Sequence, residues 1–185
     1  VKSSLPKATN LTIEGETTEL QVPVEEQTST ATFTASLKDQ YGKDCTLKSP
    51  QWSVSLEGVG DGQLTNYVTS STTENGAQIT VTLLPKAKEL LADKNQVQLT
   101  LTITANGLKS REKTVQIQKA TPTATSLGCR AENGYTNYIV TVEDDRTVPA
   151  VGEKLRWKVA PVYVLDQYGQ PMIENGKEVT VPADA

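Results

Sequence analysis

Glu143, Asp144 and Asp145, with Asp166 further along, form the densest acidic group in the chain. Gathered carboxylate oxygens suit Ca²⁺, and a carboxylate pair can also split glycosidic bonds when a sugar cleft lies beside it. A solvated charged loop accounts for the same residues, so these four stand only as calcium candidates, and no catalytic residue, metal or cofactor is assigned. The sequence contains no histidine, which removes the commonest acid–base group near neutral pH and the commonest metal ligand. Cys45 and Cys129 have neither the density of a disulfide scaffold nor the spacing of a zinc site, and read as two inert thiols, with a bridge between them left open. The glycine-rich loop "EGVGDGQ" at 57–63 lacks the Lys-Ser/Thr ending that cradles phosphate and reads as a turn.

Charge narrows the partners. Eighteen basic against 22 acidic residues leave a net charge of −4, the wrong sign for neutralising phosphates, so nucleic acid is not an expected partner. Lys109, Arg111, Lys113 and Lys119 line up near one strand-like run. Their expected role is to guard a sheet edge, with binding of an anionic glycan or wall polymer as the alternative. No apolar run is long enough to span a membrane. The chain opens at Val1 and is expected to be an excised piece of a longer protein.

These groups sit among segments of period-two alternation. In "TATFTASL", Ala31, Phe33, Ala35 and Leu37 share one face while Thr30, Thr32, Thr34 and Ser36 share the other, as a half-buried strand requires. "QITVTLL" puts Ile79, Val81 and Leu83 inward. "VQLTLTITANG" does the same for Val97, Leu99, Leu101, Ile103 and Ala105, then offers Asn106-Gly107 as a tight hairpin turn into "LKSREKTVQIQ". "QWSVSL" places Trp52, Val54 and Leu56 on one face, with Trp52 the expected centre of the core. Pro85 opens a short helix whose Leu90 and Leu91 fold back on the sheets. Seven or eight strands in the first 119 residues predict an all-β, Greek-key sandwich.

"KDQYG" at 38–42 returns as "LDQYG" at 165–169. The two tetrapeptides begin at residues 39 and 166, a domain-sized spacing. Asp at the first position and Gly at the fourth are turn chemistry, and the tyrosine is expected to lie over the end of the sandwich with its hydroxyl in water. Matching "LTIEG" to "VTVED" and "WSV" at 52–54 to "VTV" at 179–181 predicts two units. Residues 1–119 form a complete one, and residues 120–185 hold the N-terminal part of a second. The truncated unit is expected to expose an edge, with weaker order or pairing to a neighbour. "KATPTATS" reads as the junction, and "SLGCRAENGYTNYIV" is the alternative location of the first strand of unit two.

An alternating Thr/apolar strand, then "KDQYG", then a strand carrying "WSV", resembles the bacterial immunoglobulin-like (Big-type) repeats of surface proteins. Such repeats occur in invasin- and intimin-type adhesins and in S-layer or cell-wall proteins. The resemblance covers most of residues 8–119 and about 138–181, and unit two departs from it in having Val179 where unit one has Trp52. It implies an immunoglobulin-like sandwich, an extracellular or cell-surface location, further repeats in the parent chain, and a non-enzymatic spacer or adhesion module. Two alternatives remain: a module binding a host glycoprotein, immunoglobulin or glycan, and an accessory domain of a secreted carbohydrate-active enzyme. Membrane insertion is not implied.

Overall fold

The computed structural model describes residues 4–131, 134–136 and 161–181. It is an all-β sandwich, with 51% of the described residues in strands and 9% in helix. The chain divides into two compact units, Val1–Ala120 and Thr121–Ala185.

In unit one, β1 (Ala8–Glu14), β3 (Ser29–Asp39), β6 (Gln78–Leu83) and β5 (Val68–Thr72) make one sheet in the order β1-β3-β6-β5. The second sheet runs β2-β9-β7-β4, from β2 (Glu19–Gln21), β9 (Lys113–Gln118), β7 (Gln96–Ala105) and β4 (Gln51–Leu56); β8 (Leu108–Lys109) pairs with β7. Leaving β2 aside, this is the strand order of an immunoglobulin sandwich, A-B-E-D facing C-F-G. β2 pairs with β9 in parallel while the other ladders are antiparallel.

Alternation decides which side of each strand faces inward. Phe33, Ile79, Val81 and Leu83 from the first sheet meet Leu99, Leu101, Ile103, Val115 and Ile117 from the second, each 0–1% exposed. Their partners on the outer faces are mostly hydroxyls: Thr32 and Thr80 stand opposite one another in register, with their Oγ1 atoms 3.0 Å apart. Such cross-strand hydroxyl pairs leave the outer surface hydrated while holding the ladder in register. The chain passes from one sheet to the other through the 3-10 turn Pro85–Leu91, where Ala87 and Leu91 rather than Leu90 are the buried plugs.

Phe33, not Trp52, is the centrepiece. β3 lies between β1 and β6, so Phe33 is enclosed from both flanks, whereas β4 ends its sheet and leaves Trp52 half-buried. Trp52 packs against the group of Leu11, Ala35, Leu37, Ile103 and Ala105. Its indole Nε1 donates to the Gly76 carbonyl at 2.8 Å, joining β4 to the turn between β5 and β6 in the opposite sheet. The packing around Phe33 is tight enough to fix a glycine: a Cβ on Gly15 would stand 2.6 Å from Phe33 Cδ1, closer than carbon atoms can approach.

The hairpin at Asn106-Gly107 forms as read, with φ of 54° and 73°, the pair of positive values a two-residue turn of this hand needs. The basic run needs correction. Lys109 is on β8, Lys113 begins β9, and Arg111 lies in the break between them, so the four charges do not share a strand. β9 is also not a free edge along its whole length, since β2 pairs with it over Gln116–Gln118 while β7 lies on its other side. Its Lys113 Nζ instead donates to the Gly15 carbonyl at 2.8 Å.

In unit two, β10 (Ala124–Ala131) is the centre of a sheet ordered β11-β10-β12-β15, with β11 (Gly134–Thr136), β12 (Val162–Asp166) and β15 (Thr180–Val181). A small hairpin joins β13 (Ile173–Glu174) to β14 (Lys177–Glu178). Tyr163 and Leu165 are buried on β12.

Candidate functional site: a repeated turn that grips the leading segment

β3 and β12 both end on the aspartate of the repeated tetrapeptide. Asp39 Oδ1 accepts the N–H of Tyr41 at 2.8 Å and of Lys43 at 2.9 Å. Asp166 Oδ1 accepts the N–H of Tyr168 at 2.8 Å and of Gln170 at 2.9 Å. The main chain repeats with it: Gly42 and Gly169 each donate to their aspartate's carbonyl at 3.0 Å, at φ of 79° and 72°. One carboxylate oxygen therefore satisfies two amides that a reversing chain would otherwise orphan, and glycine takes the left-handed position that costs other residues strain. Both carboxylates are buried, 6% and 8% exposed, and both stay hydrogen-bonded, as a buried charge requires.

The second residue reaches further. Gln40 Oε1 accepts the Lys7 N–H at 2.7 Å, and its Nε2 donates to the Leu5 carbonyl at 2.9 Å. Gln167 Oε1 accepts the Thr123 N–H at 2.7 Å, and its Nε2 donates to the Thr121 carbonyl at 2.8 Å. A carboxamide carries one acceptor and a donor group side by side, so it can pair with the C=O of one residue and the N–H two positions on, as a neighbouring strand would. Glutamate has no donor and could make only half of this grip. Proline, at 6 and 122, occupies the middle position in each case; it has no N–H to leave unpaired and holds the segment extended.

The gripped segments lead directly into β1 and β10, and these strands correspond closely. Ala8 pairs with Asp39 and Asn10 with Lys38, with a register shift between them; Ala124 pairs with Asp166 and Ser126 with Leu165, with the same shift. β10 therefore holds beside the aspartate strand the place that β1 holds in unit one. This corrects the match of "LTIEG" to "VTVED": the latter run lies outside the described residues, and β10 belongs to "SLGCRA", the alternative location. The sequence does carry the signal, as "PKATNL" at 6–11 and "PTATSL" at 122–127. It is easily missed because the stretch from there to the tetrapeptide is longer in unit two.

Tyr41 also departs from expectation. Its ring is 56% exposed, but its hydroxyl donates to the Ser4 carbonyl at 3.0 Å and lies 3.0 Å from Ser4 Oγ, so it extends the grip on the leading segment. Of the calcium candidates, Glu143, Asp144 and Asp145 lie outside the described residues, and the Asp166 carboxylate is committed to its turn. Among the described residues no group of three or more acidic or Cys side chains is placed to hold an ion. Cys45 and Cys129 are free thiols, the second buried. Glu57, in the glycine-rich loop, is held below the usual carboxylate range, first by the hydrogen bond from Lys94 and then by the Gln98 N–H. No helix among the described residues is long and apolar enough to cross a membrane.

The architecture is thus an all-β sandwich with a main-chain clasp at the head of each unit. No protein-family model and no curated protein matches the chain. Solved structures similar to it include domains 5–6 of the S-layer protein SbsC, at 19% identity and TM-score 0.35, covering 90% of this chain and 66% of that one. Domains 1–6 of the same protein align at 16% identity and TM-score 0.38, over 97% of this chain and 22% of that one. Domains 4–9 align at 16% and 0.35, over 90% and 21%. The chain spans about two thirds of the first structure and about a fifth of the other two.

Proposed function

We propose that this chain is a non-enzymatic structural module of a bacterial surface or secreted protein, in which successive sandwich units act as spacers and the clasp fixes the segment leading into each. The observation that carries this reading is the duplication of the grip itself. The same aspartate, glutamine and glycine make the same bonds to the same main-chain positions in both units, at distances agreeing within 0.2 Å. Residues selected to hold a ligand would present free polar groups. These are consumed by the chain's own backbone.

The reading is tested with Gln40→Ala and Gln167→Ala. Each removes two main-chain hydrogen bonds worth about 1 kcal/mol apiece, Gln40→Ala losing the contact with Ser4 Oγ as well, and should raise amide exchange at Lys7 or at Thr123 respectively, by roughly tenfold or more, while exchange in β7 and β9 is unchanged. Unchanged exchange at both amides defeats the proposal, as does loss of capture of a host glycoprotein or glycan by either variant, since that would make the glutamines ligand contacts.

A further inference from the structure

Three Asn-Gly pairs occur among the described residues: Asn75-Gly76, Asn106-Gly107 and Asn175-Gly176. All three asparagines precede a glycine without side-chain hindrance, and all three lie in turns, yet their surroundings differ. Asn106 is held on both sides of its amide: Oδ1 accepts the Lys48 N–H at 2.7 Å and Nδ2 donates to the Thr46 carbonyl at 3.1 Å. Asn75 Oδ1 accepts from the Thr73 hydroxyl at 2.9 Å and the Ala77 N–H at 3.0 Å, and the following Gly76 N–H is itself donated to the Thr73 carbonyl at 2.8 Å. Asn175 is exposed, and among the described residues its side chain has no hydrogen-bond partner and the Gly176 N–H after it has no acceptor.

We infer that Asn175 is a self-modification site, where the amide converts to a carboxylate without an enzyme while Asn75 and Asn106 are protected. Base removes the Gly176 amide proton, and that nitrogen attacks Asn175 Cγ. A C–N bond forms, Nδ2 leaves as ammonia, and a five-membered succinimide results. Water then opens the ring at either carbonyl, giving aspartate or isoaspartate. At Asn175 both the electrophilic carbonyl and the nucleophilic nitrogen are free to meet. At Asn106 two hydrogen bonds must break first, and at Asn75 the nucleophile is committed as well.

The product matters to the hairpin. Glu174 pairs with Lys177 across a two-residue turn at φ of 50° and 76°. Isoaspartate adds a methylene to the main chain between them and lengthens a loop whose register depends on having two residues. Either product also places a new negative charge beside Glu174.

Incubation of the whole chain at mildly alkaline pH, followed by peptide mass spectrometry and isoaspartate detection, tests this. Asn175 should convert at least about tenfold faster than Asn106, the ratio expected when about two hydrogen bonds protect one site and not the other, with Asn75 also slower than Asn175. In urea sufficient to unfold the chain, the three rates should converge. Equal rates in the folded chain overturn the inference. So does a spread that persists unchanged in urea, because sequence rather than the turn would then set the order.

Discussion

Unit one surrounds its clasp with a deep core, and unit two repeats the clasp on a much shorter strand. β3 runs through 11 residues with β1 on one side and β6 on the other, and carries the fully buried Phe33; β12 has 5 residues, between β10 and β15. The turn chemistry is nevertheless the same to within 0.2 Å. The difference teaches that the clasp is defined locally, by one carboxylate, one carboxamide, one glycine and a leading strand of matching register. Its shape is the same at the end of the 5-residue β12 as at the end of the 11-residue β3. In unit one the apolar core and the clasp are built from separate sets of residues.

The largest effect that tests this separation is in the core. Phe33→Ala should cost about 3–5 kcal/mol of the stability of unit one, read by urea unfolding and by amide exchange in β3, β6 and β7. Exchange at Thr123 and in β12 should stay unchanged; a parallel loss of protection there would show that the units unfold as one and would break the comparison. Asp39→Ala and Asp166→Ala come next. Each strips the acceptor from two amides in a buried turn and should cost about 1–3 kcal/mol in its own unit. If the turns are equivalent, the two losses should agree within about 0.5 kcal/mol, and a large inequality would mean that the core contributes to the turn after all.

Glu57 offers the smallest effect. Its carboxyl titrates lower in the folded chain because of Lys94 and the Gln98 N–H, so this contribution is complete above the ordinary glutamate pKa and is lost as pH falls through the lowered folded value. Glu57→Gln should flatten the acid side of unit one's stability curve slightly and leave its neutral-pH midpoint nearly unmoved, since the pair is exposed and screened by salt. An identical acid limb in the variant would show that Lys94 makes no working contact.

Much of the sandwich was legible because alternation has one physical cause. Ala31, Phe33, Ala35 and Leu37, and likewise Val97, Leu99, Leu101, Ile103 and Ala105, are spaced so that a strand must hide one face, and all are buried. Trp52 was misjudged as the centre because size is visible in a sequence while position in a sheet is not; an edge strand leaves even tryptophan partly wet. The basic run was misread for the same reason, since it is pairing by the three-residue β2 that covers β9 over Gln116–Gln118. Of the clasp, Asp39 and Gly42 could be read as turn chemistry from local spacing. Gln40 could not, because its partners lie 33 and 35 residues away and depend on how β1 docks against β3.

Gln40 Nε2 also reaches Ser4 Oγ at 3.3 Å, but the bonds that the two clasp glutamines share go only to C=O and N–H groups that every non-proline residue possesses. A fastening of that kind is blind to the side chains it holds, so mutation can rewrite most of the connecting peptide without loosening it. A unit that opens on such a fastening can therefore keep it while the side chains of its leading segment change.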